Sequence, residues 1–251
     1  MGDIAHRIAV LGSKGGVGKS TVAANVAYEL SLQGYRVGVL DADMFSGAVG
    51  RMLGVTGLCP QLREKKLFPV EVSPCLKVMS MSMISKDSSM PPFPTKGALE
   101  RYVRSIEWGA LDILLIDPPP GPTPMMDEVL GLANASSCII VTTPQSLALE
   151  NAERIVRYAQ DEGFAVIGVI ENMATYDCGK CRHRADILDR RGVREMAVRA
   201  GVPFLGAIPF SEQVAHAGDI GRPLSAFPSD FSLSKVFCDI ASFVRIFLYG
   251  N

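Results

Sequence analysis

An apolar run, Arg7-Ile8-Ala9-Val10-Leu11, is followed at once by Lys14-Gly15-Gly16-Val17-Gly18-Lys19-Ser20-Thr21. That segment opens an apolar pattern of helical spacing, Val22, Ala23, Val26, Ala27 and Leu30, which stops at Gly34. Few local sequences constrain a chain more. A buried strand, a glycine turn and a helix in immediate succession commit the chain to parallel α/β architecture, because the helix must fold back over the strand it has just left. Gly15, Gly16 and Gly18 lack a Cβ, so the backbone can wrap closely around an anion and aim successive N–H groups at it. The helix opening at Lys19 and Ser20 turns its positive end to the same point. The stretch from Lys14 to Thr21 therefore specifies a phosphate cradle for a nucleotide, with Lys19 on the β/γ oxygens and Ser20 on Mg²⁺.

Further apolar runs recur at Arg36–Leu40, Leu76–Ser80, Asp112–Ile116, Ser137–Thr142, Ala165–Ile170 and Pro203–Ile208. Helical patterns fall between several of them, most clearly at Ser20–Gln33, Thr95–Trp108, Ala148–Glu162 and Arg191–Ala200. This alternation predicts a doubly wound, mainly parallel β-sheet flanked by helices. With 251 residues, 48% of them hydrophobic, and no Pro/Gly/Ser-rich linker, the chain is expected to form a single domain over 1–251. A net charge of −1 lacks the basic excess of a dedicated nucleic-acid binder. No apolar stretch reaches the roughly 18 uncharged residues of a membrane span, and the N-terminus has no export-signal pattern. The expectation is a cytoplasmic protein with neither a membrane nor a stable nucleic-acid partner. Residues Ser82–Thr95, with Met81 before them, combine methionines and prolines as a surface loop does.

Three carboxylates fall at the carboxyl ends of these runs, the edge of an open α/β sheet where ligands sit. Asp41 and Asp43 close the second run. Asp117 closes the fourth, after Leu114-Leu115-Ile116, in the Walker B arrangement of an apolar strand that fixes a carboxylate near the Mg²⁺ water shell. Ser20, Asp41 and Asp117 are thus the expected metal-side oxygens, direct or through water, and Asp43 is placed to position an attacking water. Pro118-Pro119-Pro120-Gly121 reads as a switch loop whose glycine can turn a backbone N–H toward a γ-phosphate. Thr142-Thr143-Pro144-Gln145 and Glu171-Asn172-Met173 close the next two runs. The Asn172 amide, with both donor and acceptor atoms, is the candidate reader of the adenine edge.

A second chemistry begins at Cys178-Gly179-Lys180-Cys181. Gly179 allows the chain to curl so that both sulfurs face one metal, and the neighbouring cations Lys180, Arg182 and Arg184 favour thiolates. One CxxC supplies two ligands, whereas tetrahedral zinc or a cubane cluster takes four. Two chains related by a twofold axis could supply the four, and a reactive dithiol or an inert pair is the alternative. Cys138 and Cys238 read as buried core thiols.

Lys14-Gly-Gly-x-Gly-Lys-Ser also resembles the deviant Walker A of the MinD/ParA/nitrogenase-iron-protein class. That resemblance implies that Lys14 reaches across a dimer interface to the partner's nucleotide, making Lys14, Lys19, Asp43 and Asp117 the catalytic set. The cradle, Asp41-Ala42-Asp43, the Asp117 segment, the Thr142 and Asn172 segments and the CxxC are followed by Val202–Pro209 and Gly218-Asp219-Ile220-Gly221-Arg222-Pro223. In this order they resemble the Mrp/ApbC family of iron–sulfur cluster carrier ATPases. The resemblance implies a slow ATPase, acting as an ATP-dependent homodimer. It would carry a [4Fe–4S] cluster bridged by Cys178 and Cys181 of each subunit, with scaffold donors and recipient apoproteins as partners. Zinc at the CxxC is the alternative cofactor. A MinD/ParA-type spatial organiser acting on membrane or DNA is the alternative function, its support being the stripe Leu233, Val236, Phe237, Ile240, Phe243, Val244 and Phe247, although with only Lys235 and Arg245 beside it the stripe is expected to pack in the core.

Overall fold

A computed structural model describes residues 3–43, 47–84, 97–121, 123–177, 184–186, 191–227 and 231–250. The chain enters through β1 (Ile4–Gly12), α1 (Lys19–Leu32), β2 (Val37–Asp41) and α2 (Ala48–Met52). A small hairpin, β3 (Gln61–Arg63) and β4 (Lys66–Phe68), precedes β5 (Val70–Ser73), β6 (Leu76–Ser80), α3 (Met81–Ile84) and α4 (Ala98–Ser105). Then come β7 (Leu111–Asp117), α5 (Pro124–Leu132), β8 (Ser137–Thr142), α6 (Ser146–Asp161), β9 (Ala165–Asp177) and β10 (Arg184–Asp186). The chain closes with α7 (Arg191–Arg199), β11 (Phe204–Phe210), α8 (Glu212–Asp219), a 3-10 turn (Leu224–Ala226) and α9 (Phe231–Tyr249).

The described strands form one large sheet in the order β10-β9-β8-β1-β7-β2-β6-β5, with β11 on β9. All pairs from β6 to β11 through β1 are parallel, while β5 and β10 are antiparallel additions. β1 sits between β7 and β8 although α1 carries the chain to β2, so the winding reverses at β1 and opens a crevice above its carboxyl end. The expected doubly wound sheet is what forms. Its strands read as continuous apolar runs because helices cover both faces. On one face Leu11, Leu40, Leu114, Ile116 and Ile140 pack with α4 to α7, and on the other Ile8, Val10, Val39, Leu115 and Ile139 pack with α1 and α9.

Several expectations need correction. The helix expected over Thr95–Trp108 is confined to Ala98–Ser105, because Ile106 is extended and Trp108 is fully buried after it. The strand expected to end at Ile170 continues to Asp177, taking Met173 through a left-handed φ of 57°. Met81 and Met83 belong to the buried core rather than to an exposed loop, whose residues 85–96 lie outside the described set. In α9, Leu233, Phe237, Ile240 and Val244 are buried, but Phe243 and Phe247 remain 49% and 46% exposed. Cys238 on the same helix is exposed, not buried, while Cys138 is buried as expected. No helix among the described residues is long and apolar enough to cross a membrane.

α1 is buried almost all round, since α9, α2 and the 3-10 turn pack on the side away from the sheet. Asn25 Oδ1 accepts the Leu224 N–H at 3.0 Å, and the Ser225 hydroxyl donates to Glu29. Burial pushes the Glu29 carboxyl from 4.5 up to about 7. The folded chain therefore keeps a proton that the unfolded chain has lost, and stability falls as pH rises from about 4.5 to about 7, then levels off. We expect Glu29→Gln to flatten that slope and to gain roughly 1–3 kcal/mol over the wild type at about pH 8. Urea midpoints at about pH 5 and pH 8 measure it, and parallel slopes for the two proteins exclude it.

Candidate functional site

The cradle lies between the end of β1 and the start of α1 and is tied to the neighbouring strands. After β1 the Ser13 N–H donates to Val141 O at 3.0 Å and the Ser13 hydroxyl hydrogen-bonds Thr142 Oγ1 at 3.0 Å, tying the front of the loop to β8. A serine thus works where the general P-loop pattern carries glycine, because its hydroxyl has a buried partner. Gly16 and Gly18 take left-handed φ values of 79° and 88°. A Cβ on Gly18 would lie 2.1 Å from Asn172 Nδ2, the atom that donates to Val17 O at 2.8 Å, so any side chain there would strain the left-handed backbone and push Asn172 off the loop. Gly18 begins α1 with no capping side chain and no acidic residue in the first turn. Four helix N–H groups normally need a partner there, and Gly15 and Gly16 have open space beside them. Donors, room and dipole fit a phosphate.

Opposite this helix end lies a row of strand-end groups. In the sheet register Asp41 pairs with Asp117 on β7 and with Ser80 on β6. Lys19 forms an ion pair with Asp117 and donates to Pro118 O at 2.6 Å, while Ser20 Oγ donates to Asp117 Oδ2 at 2.6 Å. Asp41 and Asp117 are both fully buried. Burial, then repulsion from Asp117, pushes Asp41 up to about 7. Burial raises Asp117 too, against the pull of Lys19. Two buried carboxylates side by side, with one cation paired to Asp117, are short of positive charge. Ser20, Asp41 and Asp117 supply hard oxygens, the donor type Mg²⁺ takes. Among the described residues no group of three or more His, Cys, Asp and Glu could hold a metal ion, so water and phosphate oxygens would have to complete the shell. The residues present fit such a cation.

The remaining site candidates divide. Asp43 is half-buried and its N–H donates to Asp41 Oδ1 at 3.2 Å, placing it beside the carboxylate row. Lys14 donates to Gln145, the residue that precedes α6. Gly121, the glycine of the expected switch loop, takes a left-handed φ of 81°. Asn172 is buried against the loop, with one of its two N–H groups given to Val17 O. Cys178 and Cys181 lie outside the described residues, between β9 and β10, which pair antiparallel with Asp177 opposite Arg184. Cys138 is held up at about 12 by burial and is no thiolate.

Sequence reasoning missed the wall of the site. A cleft of roughly 360 Å³ opens from Gly18, Thr21 and Asn172 and is lined by Arg51 and Met52 of α2, Phe210 of β11, and Val214 of α8. α2 and α8 meet beyond it, where a Cβ on Gly221 would lie 2.6 Å from Gly54 Cα and 2.8 Å from Arg51 O. Ser211 capping α8 and Glu212 in its first turn were legible as a helix start. The pairing of α8 with α2 was not.

Fold and site together define a P-loop nucleotide-binding protein of the deviant Walker A class. The family model described as "ParA: NUBPL iron-transfer P-loop NTPase" matches residues 3–245, and the chain belongs to that family. An iron-sulfur cluster carrier protein of Methanocaldococcus jannaschii is 36% identical over 89% of this chain and 79% of its own length. A cytosolic Fe-S cluster assembly factor, CFD1 of Eremothecium gossypii, is 33% identical over 96% of this chain and 92% of its own. Among solved structures, a nucleotide-binding protein of Archaeoglobus fulgidus in complex with ADP aligns with a TM-score of 0.77 at 32% identity, covering 91% of each chain. The cell division ATPase MinD of Pyrococcus furiosus aligns with a TM-score of 0.72 over 98% of this chain and 100% of its own, at 21% identity, a likeness of fold alone.

Proposed function

We propose that this protein is a cytoplasmic, ATP-hydrolysing iron–sulfur carrier. Two copies hold a [4Fe–4S] cluster as cargo through Cys178 and Cys181 of each, and release it to recipient apoproteins. The observation that carries the nucleotide half is the uncapped start of α1 facing the Lys19–Asp117–Asp41 row. The carrier half rests on the CxxC and on relatives of that description matched along most of the chain.

In this reading Lys19 leaves Asp117 and Pro118 O for the β/γ oxygens, which compensate it better than the buried carboxylate does. Ser20, Asp41 and Asp117 would hold Mg²⁺, directly or through water, and the ion would supply charge neutralisation at the phosphates. Asp43 orients the attacking water, and Gly121 presents its N–H to the γ-phosphate and moves when that group is lost. Lys14 exchanges Gln145 for the partner's nucleotide, linking occupancy to dimerisation. The base enters the cleft beside Asn172 and Phe210. Turnover is slow, because the ATP state must last long enough for a partner to meet the loaded dimer.

Anaerobic reconstitution with iron and sulfide tests the proposal. We expect brown protein with a broad band near roughly 400 nm and about four irons per dimer, transferable to an apo-[4Fe–4S] acceptor. Colourless protein with stoichiometric zinc would replace carriage by a structural role. ATP-dependent sedimentation with liposomes or DNA, without iron uptake, would favour the spatial-organiser reading.

A further inference from the structure

At the carboxyl end of β6 two hydroxyls line up on Asp41. Ser80 faces Asp41 across the β2–β6 register, is fully buried, and donates from Oγ to Asp41 Oδ2 at 3.0 Å. Ser82 Oγ lies 3.0 Å from Ser80 Oγ. Ser80 is the donor to Asp41, so its single proton is committed there and the Ser80 oxygen must accept from Ser82. The other carboxylate oxygen, Oδ1, takes the Asp43 N–H at 3.2 Å. Asp41 is therefore held at both oxygens, and its plane is fixed relative to Asp117 next to it on β7. Beside Ser82 lies Gly47, the cap residue of α2. There φ is 54°, and a Cβ would lie 2.2 Å from Ser82 Oγ.

We propose that Ser80 is a positioning residue of the metal site, holding the Asp41 carboxylate toward the cation, and that Ser82 joins this orientation to the seating of α2. The inference rests on the Mg²⁺ reading of Ser20, Asp41 and Asp117 given above. Its consequence is a mechanical link: α2 also carries Ala48, Arg51 and Met52, which wall the nucleoside cleft. Cleft and metal-side carboxylate are then joined by hydrogen bonds from Asp41 through Ser80 to Ser82, and by the close packing of Ser82 on Gly47. Paths of this kind strengthen cooperatively when every member is satisfied.

The test is a Mg²⁺ titration of the binding of a fluorescent, nonhydrolysable ATP analogue to the full chain, alongside the same binding in EDTA. Ser80→Ala is expected to need about tenfold more Mg²⁺ for half-maximal effect, as losses of groups orienting a metal ligand do, with affinity in EDTA unchanged. Ser80→Thr, which keeps the hydroxyl on a side chain suited to a strand, should restore the wild-type midpoint, and Ser82→Ala should give a smaller shift in the same direction. A wild-type midpoint in Ser80→Ala overturns the proposal. So does an equal loss with and without Mg²⁺, the mark of a merely structural serine, or a failure of threonine to rescue. Indifference of the wild type to Mg²⁺ would instead refute the metal reading of Asp41 and Asp117, and the positioning role would fall with it.

Discussion

Lys19→Ala is expected to lower nucleotide affinity by at least about a hundredfold and to weaken the fold as well. Both effects come from one contact. The Lys19 side chain is 10% exposed and Asp117 is fully buried, so the ammonium is the cation nearest two carboxylates that have left water. Removing one member of such a buried pair costs about 3–5 kcal/mol, because the other charge stays desolvated. Part of that cost is relieved by protonation, since burial already raises both Asp117 and Asp41. The nucleotide loses the charge that meets its β/γ oxygens at the same stroke. Adding Asp117→Asn to Lys19→Ala separates the two losses: stability should return toward the wild type while affinity stays low. Urea unfolding and fluorescent-nucleotide titration of the single and double variants measure this. A Lys19→Ala protein that binds nucleotide within about twofold of the wild type rules out the cradle.

The second large effect concerns the cargo. Replacing Cys178 and Cys181 by alanine together should abolish retained iron, from about four per dimer to background, because a cubane cluster needs four thiolates and each chain offers this one pair at knuckle spacing. Either single substitution leaves two thiolates per dimer and should also fail to hold the cluster. Nucleotide binding should be unaffected, since the cradle is formed by β1, α1 and the ends of β7, β8 and β9. Other thiols are poor substitutes: Cys138 is buried with its proton held, Cys59 and Cys75 lie in separate connections, α2–β3 and β5–β6, and Cys238 lies on α9. Anaerobic iron and sulfide analysis after gel filtration reads the outcome. Iron retained by the double variant would end the carrier reading, whereas lost iron with intact ATP binding would show that the two chemistries are separable.

Much of this was legible along the chain. The glycine turn announced itself because its demands are local: left-handed backbone at Gly16 and Gly18, and a helix that starts without a cap. Leu76–Ser80 and Ser137–Thr142 were readable to the residue, since strands covered on both faces are continuous apolar runs. The C-terminal stripe misled at Phe243 and Phe247. A helical period says which residues share a face, but the width of the neighbour decides how much of that face is covered. Cys238 failed for the same reason.

Sequence alone determined the phosphate cradle, the parallel class of the sheet and the identity of the strand-end carboxylates, because each follows from residue type and spacing over a single strand, turn or helix. Only the tertiary structure decided which of those groups meet. The β6-β2-β7 register sets Ser80, Asp41 and Asp117 side by side, Asn172 closes on Val17, and α8 folds against α2 at Gly54 and Gly221. Such contacts join residues far apart in the chain, and strand register and helix packing, which bring them together, depend on the whole core rather than on any local pattern.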